Sequence, residues 1–181
     1  MEVRLIALYF GIDPSVIINQ SVQHGGEKVS TSQQHTSSPA ENRLAEFVSV
    51  VLADTEDTWH ELFGRANKTY RETTLVLFTG AVESACGFAQ SATGPFYCPA
   101  DQKVYLDLSF FDELSKTYDA PGDFAQAYVL AHEVGHHIQN LQGTLSKVQQ
   151  AKLQWGNSKK SNALQVRVEL QADCYAGAWA N

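Results

Sequence analysis

Long apolar runs are missing from this sequence. No window reaches the ~18 consecutive apolar residues that a membrane-spanning helix needs, so no segment of these 181 residues reads as a complete span. Basic residues are outnumbered, with 13 Lys and Arg against 20 Asp and Glu and a net charge of −7. That balance argues against a nucleic-acid binder, which presents a basic face. Cysteine is scarce: three residues are too few for a disulfide-dense scaffold, and they are not spaced as a zinc ribbon. What is present is 44% hydrophobic and 18% charged, which suffices for one packed domain and is unlike a disordered chain. Composition does not reach the chemistry; the motifs must.

Three regions differ in character. Residues 1–18 carry an apolar run from Leu5 to Ile12, broken by Asp13-Pro14 and resumed by Val16-Ile17-Ile18. It lacks the basic start and small-residue cleavage site of a secretory signal. It reads either as a packed terminal element or as the outer end of a membrane anchor. Residues 19–37 are rich in Gln, Ser, Thr, His and Gly, a composition that cannot offset the entropy of folding, and read as a flexible linker containing His24 and His35. From residue 38 to 181 the pattern is that of an α+β domain, mainly helical with a small sheet. Ser38-Pro39-Ala40-Glu41 is a capping box with proline at the first helical position. A helix through Leu52 follows, then a second short one capped by Asp54 or Thr55 and ended by Gly64. Strands are expected at Thr73–Thr79 and Lys103–Leu108, separated by an irregular stretch from Gly80 to Gln102. A short helix should begin at Ser109 and reach about Tyr118, before a break at Pro121-Gly122. Asp123 with Gln126 has the pattern of a capping box opening a helix to about Gln142, stopped by Gly143. Two further helices are expected, Leu145–Trp155 and one from about Asn162 that is still running where the chain ends, with Asn157–Ser161 as a polar loop between them.

Three of the six histidines fall within six residues: His132-Glu133-Val134-Gly135-His136-His137. Here H-E-x-x-H sits inside the predicted helix. Residues four apart share one helical face, so His132 and His136 can reach one ion, while Glu133 is placed beside the metal without ligating it. A catalytic zinc has three protein ligands and an open position. The metzincin solution requires a third histidine where Gln142 stands and a glycine where Gln139 stands, and is excluded. A glutamate from a later helix is the other solution. Glu169 is the expected third ligand, and Asp173 the expected acceptor for the far ring nitrogen of His132. Ligation by Asp173 and a solvated acidic face are the alternatives; Val166, Val168, Leu170, Ala172, Ala176 and Trp179 suggest a helix buried on much of its circumference instead. His137 points about 100° away from His136 around the helix and is assigned a surface or supporting role.

The blocks His132-Glu133-Val134-Gly135-His136-His137-Ile138-Gln139, Glu169-Leu170-Gln171-Ala172-Asp173-Cys174-Tyr175-Ala176-Gly177 and Gly94-Pro95-Phe96-Tyr97-Cys98-Pro99-Ala100-Asp101-Gln102-Lys103-Val104-Tyr105 resemble the bacterial neutral zinc metallopeptidase family. The resemblance covers Glu41 to the end, more weakly Leu5–Ile18. It implies a zincin-like, minimal gluzincin core with one Zn²⁺ held by His132, His136 and Glu169, and with Glu133 as catalyst. It also implies a peptide or protein substrate and an N-terminal membrane anchor largely absent from this sequence. With that anchor goes an extracytoplasmic position in the bacterial envelope, and a catalytic domain that continues beyond Asn181.

The reaction this implies is metal-assisted peptide hydrolysis with Glu133 as general base. Either Thr74–Phe78 or Val104–Leu108 is expected to be the edge that pairs with an extended substrate. Tyr97, Tyr105 and Tyr175 are candidate oxyanion donors, with burial in the core as the blander reading. An envelope location would let Cys86 and Cys98 form a disulfide; two separate buried thiols are the alternative, and Cys174 is left as a buried thiol or one with a partner elsewhere. The competing functional reading is a non-enzymatic zincin-like binding or scaffold module, which has no need of Glu133.

Overall fold

The computed structural model describes residues 38–90, 94–117 and 122–181. The expected apolar segment 1–18, the linker 19–37 with His24 and His35, and Tyr118 and Pro121 lie outside the described residues. Among the described residues ten elements follow in order: α1 (Pro39–Arg65), β1 (Thr74–Phe78), β2 (Ala81–Ser84), β3 (Gly87–Gln90), β4 (Phe96–Cys98), β5 (Lys103–Asp107), α2 (Phe110–Thr117), α3 (Asp123–Leu141), α4 (Thr144–Trp155) and α5 (Lys159–Trp179). The class is α+β, as expected. Among these elements no helix is long and apolar enough to cross a membrane.

The capping box at Ser38 is formed: its hydroxyl accepts from the Glu41 amide at 3.2 Å, and the Glu41 carboxylate accepts from the Ser38 amide at 2.6 Å. Beyond it the expected break near Asp54 does not occur, and α1 is one helix to Arg65. Thr55 does not cap a new helix, because its buried hydroxyl donates back to Leu52 O at 2.6 Å. Asp54 is engaged elsewhere, accepting from Trp179 Nε1 on α5 at 2.7 Å. Asp123 is likewise no cap: Gly122 holds the N-cap position of α3, at φ 115°, without a side-chain bond. The last helix begins at Lys159, not Asn162, because Ser158 caps it by accepting from the Ser161 amide. It ends at Trp179, two residues before the chain does.

The stretch from Gly80 to Gln102 is not irregular. It holds the antiparallel hairpin β2–β3 and the short strand β4. The main sheet has the order β1-β5-β4, with β1 parallel and β4 antiparallel to β5. β5 is therefore central, and Val104–Leu108 cannot be a substrate edge; the outer strands are β1 and β4. Cys86 at the hairpin turn is bonded to Cys98 at the end of β4, with Cα atoms 5.8 Å apart. This closes a loop for which the chain-entropy treatment gives about 3 kcal/mol. Cys174 is an exposed free thiol, not a buried one.

α3 is the central element, packed against α1, α4, α5, β4 and β5. Its core side contributes Leu130, Val134 and Ile138. Its contact with α5 is close because of Gly135: a Cβ there would lie 2.9 Å from Ala172 O and 3.1 Å from Ala172 Cα. α5 buries one stripe, Ser161, Gln165, Val168, Ala172 and Ala176, whereas Val166 and Leu170 are exposed at 52% and 59%. The expectation of burial around much of this helix is thus corrected to a single face.

Gly135→Ala should force α3 and α5 apart and destabilise the fold by about 1–3 kcal/mol. Gly177→Ala, on the open side of α5 with nothing within 4 Å, should be neutral or stabilise by up to ~1 kcal/mol. Thermal denaturation of the two variants distinguishes a packing constraint from a general effect of helical glycine.

Candidate metal centre

The i, i+4 spacing on α3 puts His132 and His136 one turn apart, with ring centroids separated by 4.8 Å. Both rings turn the same atom inward. His132 Nε2 lies 3.4 Å, and His136 Nε2 3.3 Å, from one oxygen, Glu169 Oε2, contributed by α5. One donor atom from each residue can be chosen so that all lie within 4.8 Å of one another. Asp173 does not join them; its Oδ1 is 2.9 Å from His132 Nδ1.

The other ring nitrogens set which atoms of the two rings face Glu169. His132 Nδ1–H donates to the Asp173 carboxylate, and His136 Nδ1–H donates to Gln139 Oε1 at 2.9 Å. With Nδ1 protonated, each Nε2 of a neutral ring presents a lone pair. Two lone pairs and a carboxylate oxygen aimed at one point can hold a cation between them. A nitrogen–nitrogen–oxygen donor set backed by hydrogen bonds on the far side of each ring fits zinc.

Without a metal, protons take that place. Burial opposes a charge on His132, but hydrogen bonds to Asp173 and Glu169 and the field of Glu133 outweigh it and push its pKa up to about 10. His136 is moved in the same direction: burial opposes, while Glu169 and Glu133 prevail. Burial would raise the Glu169 pKa, yet His132, His136 and Gln165 together hold it well below the usual carboxylate range.

Glu133, one residue past His132, is 2% exposed. Around the helix it lies about 100° from His132, on the side toward the sheet where His137 and Asn140 make their contacts with β4.

Several supporting residues are not legible in the motif. Gln139 is fully buried; besides accepting from His136 it donates to Val168 O at 2.7 Å and to Gln171 Oε1 at 3.0 Å. One carboxamide therefore ties a candidate ligand to the turn of α5 that carries Glu169. Gln165 donates to Glu169 Oε1 at 2.9 Å. The only sequence signal for either was a glutamine at helical spacing from a ligand. His137 is buried, which removes the surface reading and leaves the supporting one. Its Nε2–H donates to Arg71 O at 2.6 Å, and its Nδ1 accepts from Tyr97 OH at 3.0 Å. Burial lowers its pKa and keeps it neutral. Tyr97 also accepts from Asn140 Nδ2 at 2.9 Å, pinning β4 to α3. Tyr105 is buried, stacks on Phe96 and donates to Asp101. Tyr175 is half-buried and donates to Gln142. Each of the three candidate oxyanion hydroxyls thus has a partner within the fold.

Two outcomes follow for the metal centre. Glu169→Ala should cost more zinc affinity than Asp173→Ala, for which the loss should be ~10–100-fold; competition against a chromophoric chelator gives both, and the reverse order would make Asp173 the ligand. In chelator-treated protein, His132 has a folded pKa above its unfolded value of ~6.5. Its contribution to stability is then complete below that pH and is lost as the pH rises toward about 10. His137, whose folded pKa is lowered by burial, acts in the opposite sense and only at the lower end of that range, where its unfolded form still takes up a proton. Melting temperatures of metal-free protein should therefore fall between pH 6.5 and 10, and stoichiometric zinc should flatten the decline by replacing the protons.

The chain is 48% identical over 180 residues to YpfJ, an uncharacterized protein of Escherichia coli K12, with 99% of this chain and 60% of the relative aligned. It is 38% identical over 180 residues to the uncharacterized protein Rv2575 of Mycobacterium tuberculosis H37Rv, covering 96% of this chain and 58% of that one. The chain thus spans about three fifths of the length of these relatives. No solved structure matches it. A family profile described as "Putative neutral zinc metallopeptidase" matches residues 1–181, and the chain belongs to that family.

Proposed function

We propose that this chain is the zinc-binding core of a peptidase with zincin-like, minimal gluzincin architecture. In this reading His132, His136 and Glu169 hold one zinc ion and Glu133 is the general base. The observation that carries it is the convergence of two Nε2 lone pairs on Glu169 Oε2, with each Nδ1 already committed to an acceptor. The family supports a hydrolase acting on peptides or proteins.

When bound, zinc supplies Lewis-acid polarisation of the scissile carbonyl and lowers the pKa of a water toward neutrality. The remaining steps belong to the chain. Glu133, held beside the ligands on α3, accepts a proton from the attacking water and passes it to the leaving amine nitrogen. Asp173 holds His132 as the Nδ1–H tautomer and raises its basicity; Gln139 holds the same tautomer of His136 through a neutral acceptor.

Of the two outer strands, β4 is the one fastened to α3, through Tyr97, His137 and Asn140. An extended peptide that adds to its open edge by backbone hydrogen bonds runs beside the helix of Glu133. A pocket of about 440 Å³ along β4 and the hairpin, lined by Phe88, Phe96, Tyr97, Asn140 and Leu145 among others, offers space for an apolar side chain of that peptide. The Cys86–Cys98 disulfide is consistent with an envelope location outside the cytoplasm, which we include in the proposal.

Glu133→Gln should lower cleavage of casein or of a peptide library by ~10²–10⁴-fold while retaining bound zinc. Equal residual cleavage by the wild type and this variant would remove the enzyme and leave the binding or scaffold module.

A further inference from the structure

Glu169 has two carboxylate oxygens, and the fold treats them differently. Oε2 faces the Nε2 atoms of His132 and His136 at 3.4 and 3.3 Å. Oε1 accepts a hydrogen bond of 2.9 Å from Gln165 Nε2, one turn earlier on α5. Gln165 is 4% exposed, and its carbonyl end accepts from the ammonium of half-buried Lys152 on α4 at 2.5 Å. An ammonium has donors and no acceptor. Lys152 can therefore meet only the carbonyl end of the carboxamide, and the NH₂ end is turned onto Glu169. The series Lys152–Gln165–Glu169 runs in one direction only.

This direction bears on the metal. A zinc site used for chemistry keeps three protein ligands and one open position. A carboxylate that binds through both oxygens takes up that position. We propose that Gln165, oriented by Lys152, is a positioning residue that restricts Glu169 to ligation through Oε2 alone and so keeps the remaining coordination position open. The inference rests on the metal-centre reading above. A Gln165 that served only helix packing would have a different signature: its removal would lower stability and metal affinity together and leave the ligand set unchanged.

Cobalt(II) tests this, because its visible absorption weakens as coordination rises from four to five. Cobalt spectra and zinc affinities are to be recorded for the wild type, Gln165→Met, Lys152→Met and Lys152→Arg. In Gln165→Met the cobalt bands should lose intensity and shift, zinc affinity should be retained or tightened, and peptide cleavage should fall ~10–100-fold. Lys152→Met should move the spectrum the same way, and Lys152→Arg should restore it. An unchanged cobalt spectrum in either methionine variant overturns the proposal, as does a loss of zinc affinity with an unchanged spectrum. Should Gln165→Met fail to fold, the Lys152 pair decides alone. If the wild type takes up no cobalt, or Glu169→Ala takes it up equally well, the metal-centre reading itself falls, and the proposal with it.

Discussion

A Cβ atom on residue 135 would stand 2.9 Å from the carbonyl oxygen of Ala172, closer than any real side chain tolerates. The spacing of α3 and α5 therefore depends on there being no side chain at Gly135. The two candidate histidine ligands lie on one of these helices and the carboxylate on the other, so the same spacing sets whether their lone pairs meet at one point. Stability and the geometry of the candidate metal centre share one constraint here. Close packing has low compressibility and transmits strain, so widening this contact moves Glu169 away from both rings at once.

Around that contact the polar groups are arranged so that every candidate ligand is held from behind. A carboxylate serves His132, a carboxamide serves His136, and a second carboxamide serves the other oxygen of Glu169. The asymmetry has electrostatic meaning. Asp173 brings charge and makes His132 more basic, whereas Gln139 orients His136 without adding to an already acidic cluster. Gln139 also bonds Val168 O, so the orientation of one ligand and the placement of the other helix are secured by the same side chain.

The sheet meets the helices on the opposite side of α3. His137 is held between the Arg71 carbonyl and the Tyr97 hydroxyl, and Asn140 reaches the same hydroxyl. A buried neutral imidazole at the residue after a candidate ligand thereby fixes the rotation of α3 against β4. The disulfide from Cys86 to Cys98 holds the β2–β3 hairpin onto the end of that strand. The strand that the proposed function uses for substrate is thus fastened to α3 at one point and to the hairpin at another.

The sequence by itself determined the α+β class, the first helix start at Ser38 and the boundaries of β1, β5, α3 and α4 to within a residue or two, because strong periodicity and terminal signals are local. The pairing of His132 with His136 was also local, being a property of helical pitch. Where local signals competed with tertiary demand they failed. Thr55 reads as a cap until its hydroxyl turns back to Leu52 O, and strands of three or four residues, such as β3 and β4, carry too few positions for alternation to register. Strand order was beyond reach as well, since nothing in Lys103–Asp107 says that both its sides will be covered. Only the tertiary structure decided that Glu169 and not Asp173 faces both rings, that Gln139 and Gln165 stand behind the ligands, and that His137 is buried. Each of these depends on how α3 and α5 are rotated against each other, and that rotation is set by packing between residues more than twenty positions apart in the chain, which no local pattern encodes.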